Sequence, residues 1–463
     1  MKPVIKIIVV CLVLTIIFAA CGQPQSASTQ GAAPAQSTAE STVASSTKPA
    51  DAPKEPVKLY YWAGKPPESG PQNWVDEFNA THDDIQVEYV RFVNDDAGNL
   101  KLDTALMAGE GVDIFASMAR DRFVQRVRNG CVEDLTDLVA KYYPDYETDV
   151  GVNANLSKVD GKYYGIVNTN GIRAFTLNKT MFEEAGVPLP TGFWTVDEFR
   201  ETAKKLTHGE GDDKVYGAFL FDADFDKWIK FAATKLGDDY LWKSDGTSNF
   251  DAPEIKQSLQ LYYDMSLVDG SMPTLAETKS KKLQPNVMFL TGKAAMTDAW
   301  WILRYIKDTD TYPHDFVTVF APIPVMEDGI EVCSAGSGDI LSINARCEEK
   351  EAAMQLIAWH QKQGVLHMAE FGSIPMSQSI DADAIAGIML KGKEHLFDLQ
   401  SYKDYFLGNK VNKYSLILDD RALPELTKLI IDEGEKALIQ GCTVDEAIAN
   451  MKKYGDEALA KAN

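Results

Sequence analysis

From residue 57 onward, the spacing of apolar positions switches repeatedly between the two-residue rhythm of strands and the 3.6-residue rhythm of helices. Val57-Lys58-Leu59-Tyr60-Tyr61-Trp62 is rich in β-branched and aromatic residues and runs into Gly64-Lys65-Pro66-Pro67, which predicts a strand closed by a turn. Trp74, Val75 and Phe78 then mark a helical face, and Ile85 to Phe92 reads as a second strand. Leu102, Leu106 and Met107 belong to a second helix ended by Gly109 and Gly111, and Asp113 to Phe115 starts a third strand. Strand and helix alternating in this way predict open, mainly parallel sheets with helices on both faces. Further on, Thr195-Val196-Asp197-Glu198 and Thr443-Val444-Asp445-Glu446 are capping boxes. The first opens a helix with Phe199, Ala203 and Leu206 on its core face, the second a helix with Ile448, Met451 and Leu459. No fixed-period repeat is visible, which argues against a solenoid.

The first 56 residues follow another pattern. Lys2 and Lys6 precede an almost wholly apolar run from Ile7 to Ala20, too short to span a bilayer comfortably and built like the core of a signal peptide. It ends in Phe18-Ala19-Ala20-Cys21-Gly22, which resembles the bacterial lipobox with Phe18 in place of the usual leucine. The resemblance implies removal of residues 1–20 and lipidation of Cys21. Gln23 to Pro56 is dominated by Ala, Ser, Thr, Gln and Pro, so it cannot bury enough apolar surface to offset chain entropy. It reads as a disordered linker, residues 21–56 with the lipidated cysteine, with a root-mean-square reach of roughly 30 Å. Two acyl chains anchor stably where one is marginal.

About 400 of the 463 residues remain for the folded body, a size that usually divides into two or more lobes. The formal charge of -22 argues against nucleic acid and an anionic membrane face as partners. Cys131, Cys333, Cys347 and Cys442 lack metal-ligand spacing and are expected to be mostly free, buried thiols, with a Cys333–Cys347 bridge as the alternative. Asp222-x-Asp224-x-Asp226 begins like a calcium loop, but Lys227 and Ala233 occupy the glycine and terminal carboxylate positions. No nucleophile elbow, zinc-helix or phosphate-loop motif is present, so neither an enzyme nor a cofactor is expected.

A series of short segments carries a wider resemblance. It runs Leu59-Tyr60-Tyr61-Trp62, Trp74-Val75-Asp76-Glu77-Phe78-Asn79, Gly111-Val112-Asp113-Ile114-Phe115, Gly130-Cys131-Val132-Glu133-Asp134-Leu135 and Gly161-Lys162-Tyr163-Tyr164-Gly165-Ile166. Leu177-Asn178-Lys179 through Ala185-Gly186, Trp194-Thr195-Val196-Asp197-Glu198-Phe199, Gly292-Lys293-Ala294-Ala295-Met296-Thr297 and Ser373-Ile374-Pro375-Met376 follow in order. In this order the body resembles the extracellular solute-binding proteins of ABC transporters, in the branch that includes maltose-binding protein. Val112 departs from the family's usual proline, and Met118 stands where maltose-binding protein has a tryptophan, which puts maltose itself in doubt.

The resemblance implies a two-lobed periplasmic-binding-protein-like fold with a ligand cleft at the hinge. Residues 57–169 plus about 337–375 would form the N-terminal lobe, and residues 170–336 plus about 376–463 the C-terminal lobe. It implies capture of a carbohydrate, an oligosaccharide above all, by hinge closure and delivery to permease subunits. The protein would act as a monomer tethered by its lipid to the outer face of the cell membrane, in an envelope of Gram-positive type. A solute sensor for a two-component system and a lipid-anchored glycoside hydrolase are the alternatives, and arginines in the cleft would suit an acidic or phosphorylated sugar. Sugars present apolar ring faces and hydroxyl edges, so their sites combine aromatic platforms with polar side chains. On that ground Trp62, Trp228, Trp300 and Trp301 are candidate platforms, and Lys65, Arg120, Asp121, Asn170, Asp226 and Asp339 candidate polar contacts. Asn168, Arg173, Ser337, Tyr414 and Asp419 are weaker ones.

Overall fold

The computed structural model describes residues 55–109, 111–171, 174–221, 225–237, 240–298, 300–335, 338–408, 412–415 and 421–462, without the side chains of 225, 226, 300, 333–335 and 412–415. The expected signal peptide, Cys21 and the expected linker up to residue 54 therefore lie outside the described residues, as do Arg173, Ser337, Asp419 and the first carboxylates of the Asp222–Asp226 run.

The expected opening is present. β1 (Val57–Ala63) pairs in parallel with β2 (Ile85–Arg91) and with β3 (Ile114–Ser117), in the registers Val57↔Ile85 and Tyr61↔Ile114. Helix α1 (Pro71–Thr81) buries Trp74, Val75 and Phe78. Helix α2 (Asp96–Ala108) starts where the Asp95 carboxylate accepts from the Gly98 amide at 2.8 Å, and stops at the left-handed Gly109. Its Leu102 and Leu106 are buried, whereas Met107 faces outward. Helix α3 (Arg120–Arg128) follows β3. A small hairpin of β4 (Lys158–Val159) and β5 (Lys162–Tyr163) then leads to β6 (Ile166–Val167).

The chain next passes through β7 (Thr169–Asn170) into β8 (Ala174–Asn178), followed by β9 (Tyr216–Phe219), β10 (Ala294–Thr297) and β11 (Thr318–Pro322). These last four form a second sheet in the order β11-β8-β10-β9. The chain returns through β12 (Val332–Ala335) to β13 (Ile340–Ile343), then through β14 (Ile374–Pro375) to β15 (Asn412–Ser415), which pairs in parallel with β12. The first sheet thus has the order β2-β1-β3-β13-β6.

Neither sheet is as parallel as the strand–helix rhythm suggests. β13 is antiparallel to β3 and β6, and β8 is antiparallel to β10 and β11. The reason is the route of the chain. β1, β3, β9 and β10 run toward the junction between the sheets, whereas β8 and β13 enter from that junction and so run the other way.

Each sheet has its own core. Leu59, Phe78, Ile114, Phe123, Ile166 and Ile343 belong to one, and Phe175, Phe199, Phe231, Leu259, Met296 and Met451 to the other. The Thr195 capping box forms in full, with the Thr195 amide donating to Glu198 at 2.7 Å. At the last helix, Val444–Ala462, the Thr443 amide likewise donates to Glu446 at 2.8 Å. Cys131, Cys347 and Cys442 are free thiols, so the Cys333–Cys347 bridge is not formed. Burial, with Asp113 beside it, pushes the Cys347 thiol up to about 12. Among the described residues no helix is long and apolar enough to cross a membrane.

Candidate functional site

Three crossings join the lobes, and backbone hydrogen bonds lace them together. β7 pairs with β14, in the register Ile374↔Asn170. The Gly338 amide donates to the Thr169 carbonyl at 2.8 Å, the Asp339 amide to Thr169 Oγ1 at 3.1 Å, and the Asn168 amide to the Asp339 carbonyl at 2.8 Å. A Cβ on residue 338 would stand 1.8 Å from Thr169 Oγ1, so only glycine allows this approach.

Lys65 reaches this node from the end of β1. Its Nζ lies 2.8 Å from the Asp339 carboxylate and 3.0 Å from Ser373 Oγ, so one ammonium holds the second and third crossings together. The Tyr89 hydroxyl donates to the Lys65 carbonyl at 2.6 Å. Burial first, and then the Asp339 charge, raise the Tyr89 phenol above its usual range, so it stays a neutral donor; burial first, then Tyr89 and Asp339, do the same to the Tyr61 phenol. Asn170 is buried, and its Oδ1 accepts no hydrogen bond among the described residues. Behind the node, Gln361 Nε2 donates to Asn168 Oδ1 at 3.3 Å, and His360 packs on Trp74 with ring centroids 4.5 Å apart. Burial, with Lys65 nearby, lowers the His360 imidazole to about 3, so it is neutral.

The third crossing is fastened to the first lobe further along. The Asp149 carboxylate accepts from Tyr143 Oη, from Ser377 Oγ at 2.9 Å and from the Ser379 amide at 2.9 Å. Burial pushes this carboxyl up, but the hydrogen bonds outweigh burial and hold it below the usual aspartate value.

Arg120 and Asp121 are neighbours at the start of α3. Arg120 donates to the Leu156 and Lys158 carbonyls and so ties α3 to the loop before the hairpin. Asp121 is exposed on the first turn of α3.

On the second lobe, β9 and β10 are parallel neighbours aligned at Phe219↔Thr297, so their ends lie side by side. After β10 comes Asp298 and a short 3-10 turn, Trp300–Ile302. Trp301 is half-buried, edge-on to Tyr305 with centroids 5.7 Å apart. The Trp300 side chain lies outside the described residues. So do the side chains of Asp226, in the 3-10 turn Phe225–Ile229, and of Tyr414.

Two candidate platforms prove to be core residues. Trp228 is fully buried and its indole donates to the Ile430 carbonyl at 3.2 Å. Trp62 packs with Phe92, Leu102 and Leu106, and its indole donates to the Gly111 carbonyl at 2.6 Å. Both rings have their polar atom satisfied internally, and the Lys101 ammonium stands 5.4 Å from the Trp62 ring centroid. The sequence reading missed the buried ion pair of Lys230 and Asp298, whose partners are too far apart in the chain for any spacing rule to join them.

Residues 63–363 match the profile of the bacterial extracellular solute-binding protein family. The arabinooligosaccharide-binding protein of Halalkalibacterium halodurans is 23% identical over 262 residues, which is 55% of this chain and 56% of that protein. The chain spans about half the length of the curated relatives it matches. A sugar transporter structure from Rhizobium etli, in an open conformation, superposes with a TM-score of 0.71 at 19% identity, covering 87% of this chain and 99% of that one. An ABC substrate-binding protein of Listeria monocytogenes, in complex with cycloalternan, gives a TM-score of 0.70 at 20% identity, covering 88% and 99%. At these identities the likeness to solved structures is one of fold. With the family profile covering most of the folded body, the chain belongs to the bacterial extracellular solute-binding proteins.

Proposed function

We propose that this protein captures a carbohydrate, an oligosaccharide above all, and hands it to the permease of an ABC importer. The observation that carries the reading is the laced hinge between two α/β lobes, each built on its own sheet. Such a joint lets a ligand touching both lobes favour a closed state through contacts the open state lacks. The relative that binds arabinooligosaccharides and the cycloalternan complex support a sugar as the ligand. Trp300 and Trp301 offer the aromatic platform, and Asn170, with a buried acceptor left open, a polar contact at the hinge. Lys65 and Arg120 are already engaged with Asp339 and with backbone carbonyls, which favours a neutral sugar over an acidic or phosphorylated one.

The lobes divide as residues 57–169 plus about 337–375, and 170–336 plus about 376–463. The protein is a monomer that binds without catalysing a reaction. Lipidated Cys21 and the linker to residue 56 tether it to the outer face of the cell membrane, in an envelope of Gram-positive type. Mass spectrometry of the native chain is expected to find acyl groups on Cys21, and an unmodified thiol or a free mature terminus would refute the tether.

Purified protein lacking residues 1–53 is expected to gain thermal stability from some member of a broad saccharide panel without releasing product. Ligand at a hundred times its dissociation constant adds about 2.7 kcal/mol. No stabilisation by any saccharide would sink the sugar reading, and steady product formation would sink the binding-only reading.

A further inference from the structure

We propose that Lys230 and Asp298 form a positioning pair that aligns the ligand-facing segments of the second lobe. This rests on the sugar-binding reading above. Asp298 directly follows β10 and precedes Trp300 by two residues; Lys230 opens helix Lys230–Leu236 directly after the turn that holds Asp226. The ion pair therefore joins the segments leaving two neighbouring strands, the segments that carry Asp226, Trp300 and Trp301. Each is pinned elsewhere as well: Thr176 Oγ1 donates to the Thr297 carbonyl at 3.1 Å, and Trp228 is fastened to Ile430.

The pair is poorly explained as a source of stability. The Lys230 and Asp298 side chains are only 3% and 9% exposed, and the ammonium stands 5.1 Å from the Phe231 ring centroid and 5.7 Å from that of Phe175. Stripping two charges of water in such surroundings costs about what their attraction returns, and a well-packed apolar pair commonly does as well. A buried ion pair does supply geometry, because the carboxylate fixes where the ammonium sits and so fixes the two segments that carry them. A rigid platform binds better than one that must be ordered on contact.

The test separates position from stability. The double variant Lys230→Met/Asp298→Leu, made in the protein lacking residues 1–53, is measured at a temperature where circular dichroism shows it native. It should bind the saccharide selected by the panel at least tenfold more weakly in calorimetric titration. Wild-type affinity in this variant would overturn the proposal. Should the double variant not fold, Asp298→Asn carries the same test at a temperature where circular dichroism shows it native: a tenfold loss supports the pair and wild-type affinity overturns it. Failure of the wild-type chain to bind any saccharide would instead refute the reading beneath it, so the two failures are distinguishable.

Discussion

At Asp149 one carboxylate takes hydrogen bonds from Tyr143, Ser377 and the Ser379 amide, and its folded pKa lies below the unfolded value. A depressed aspartate contributes stability that is fully present above the unfolded pKa and is lost as pH falls through the folded one. Asp149→Asn is therefore expected to destabilise the protein at neutral pH and to flatten the loss of stability on the acid side, as read by denaturant titrations at stepped pH. Trp228→Ala should cost about 3–5 kcal/mol of unfolding free energy through its cavity. Trp300→Ala/Trp301→Ala should abolish saccharide binding with the fold intact, and unchanged affinity would show that the platform lies elsewhere. The tryptophans also mark the limit of sequence reading at this scale. Trp62 sits in a strand buried on both faces near its end, where alternation no longer tells cleft from core. Trp228 is buried by helix Leu423–Leu438, a partner two hundred residues away that no local pattern announces.

Among the elements, those set by short-range chemistry were the legible ones. The capping box at Thr195 and the first three strands appear where turn residues and spacing place them. Thr195→Ala is expected to lower stability by about 1 kcal/mol, measured by the shift of the denaturation midpoint at constant m-value. Strand direction was less legible, because it depends on which lobe a strand enters from and not on its own residues. The crossings depend on a close approach that one glycine permits. Gly338→Ala should lower the melting temperature, and adding Thr169→Ala should recover part of the loss, since Oγ1 is the atom in the way.

For the whole molecule, lobes joined by three laced crossings should move as bodies about the hinge. Small-angle scattering is expected to show a smaller radius of gyration once the saccharide is added, and an unchanged profile would mean that binding does not close the cleft. The position of β13 has a consequence for how the protein is made. This strand sits between β3 and β6, yet it is residues 340–343 of the chain. The first lobe therefore cannot complete its sheet until about three quarters of the polypeptide has been synthesised. Long-range strand pairing of this kind is slow. Until that strand arrives, the facing edges of β3 and β6 have no partner, so the first lobe is among the last parts of the molecule to close its core.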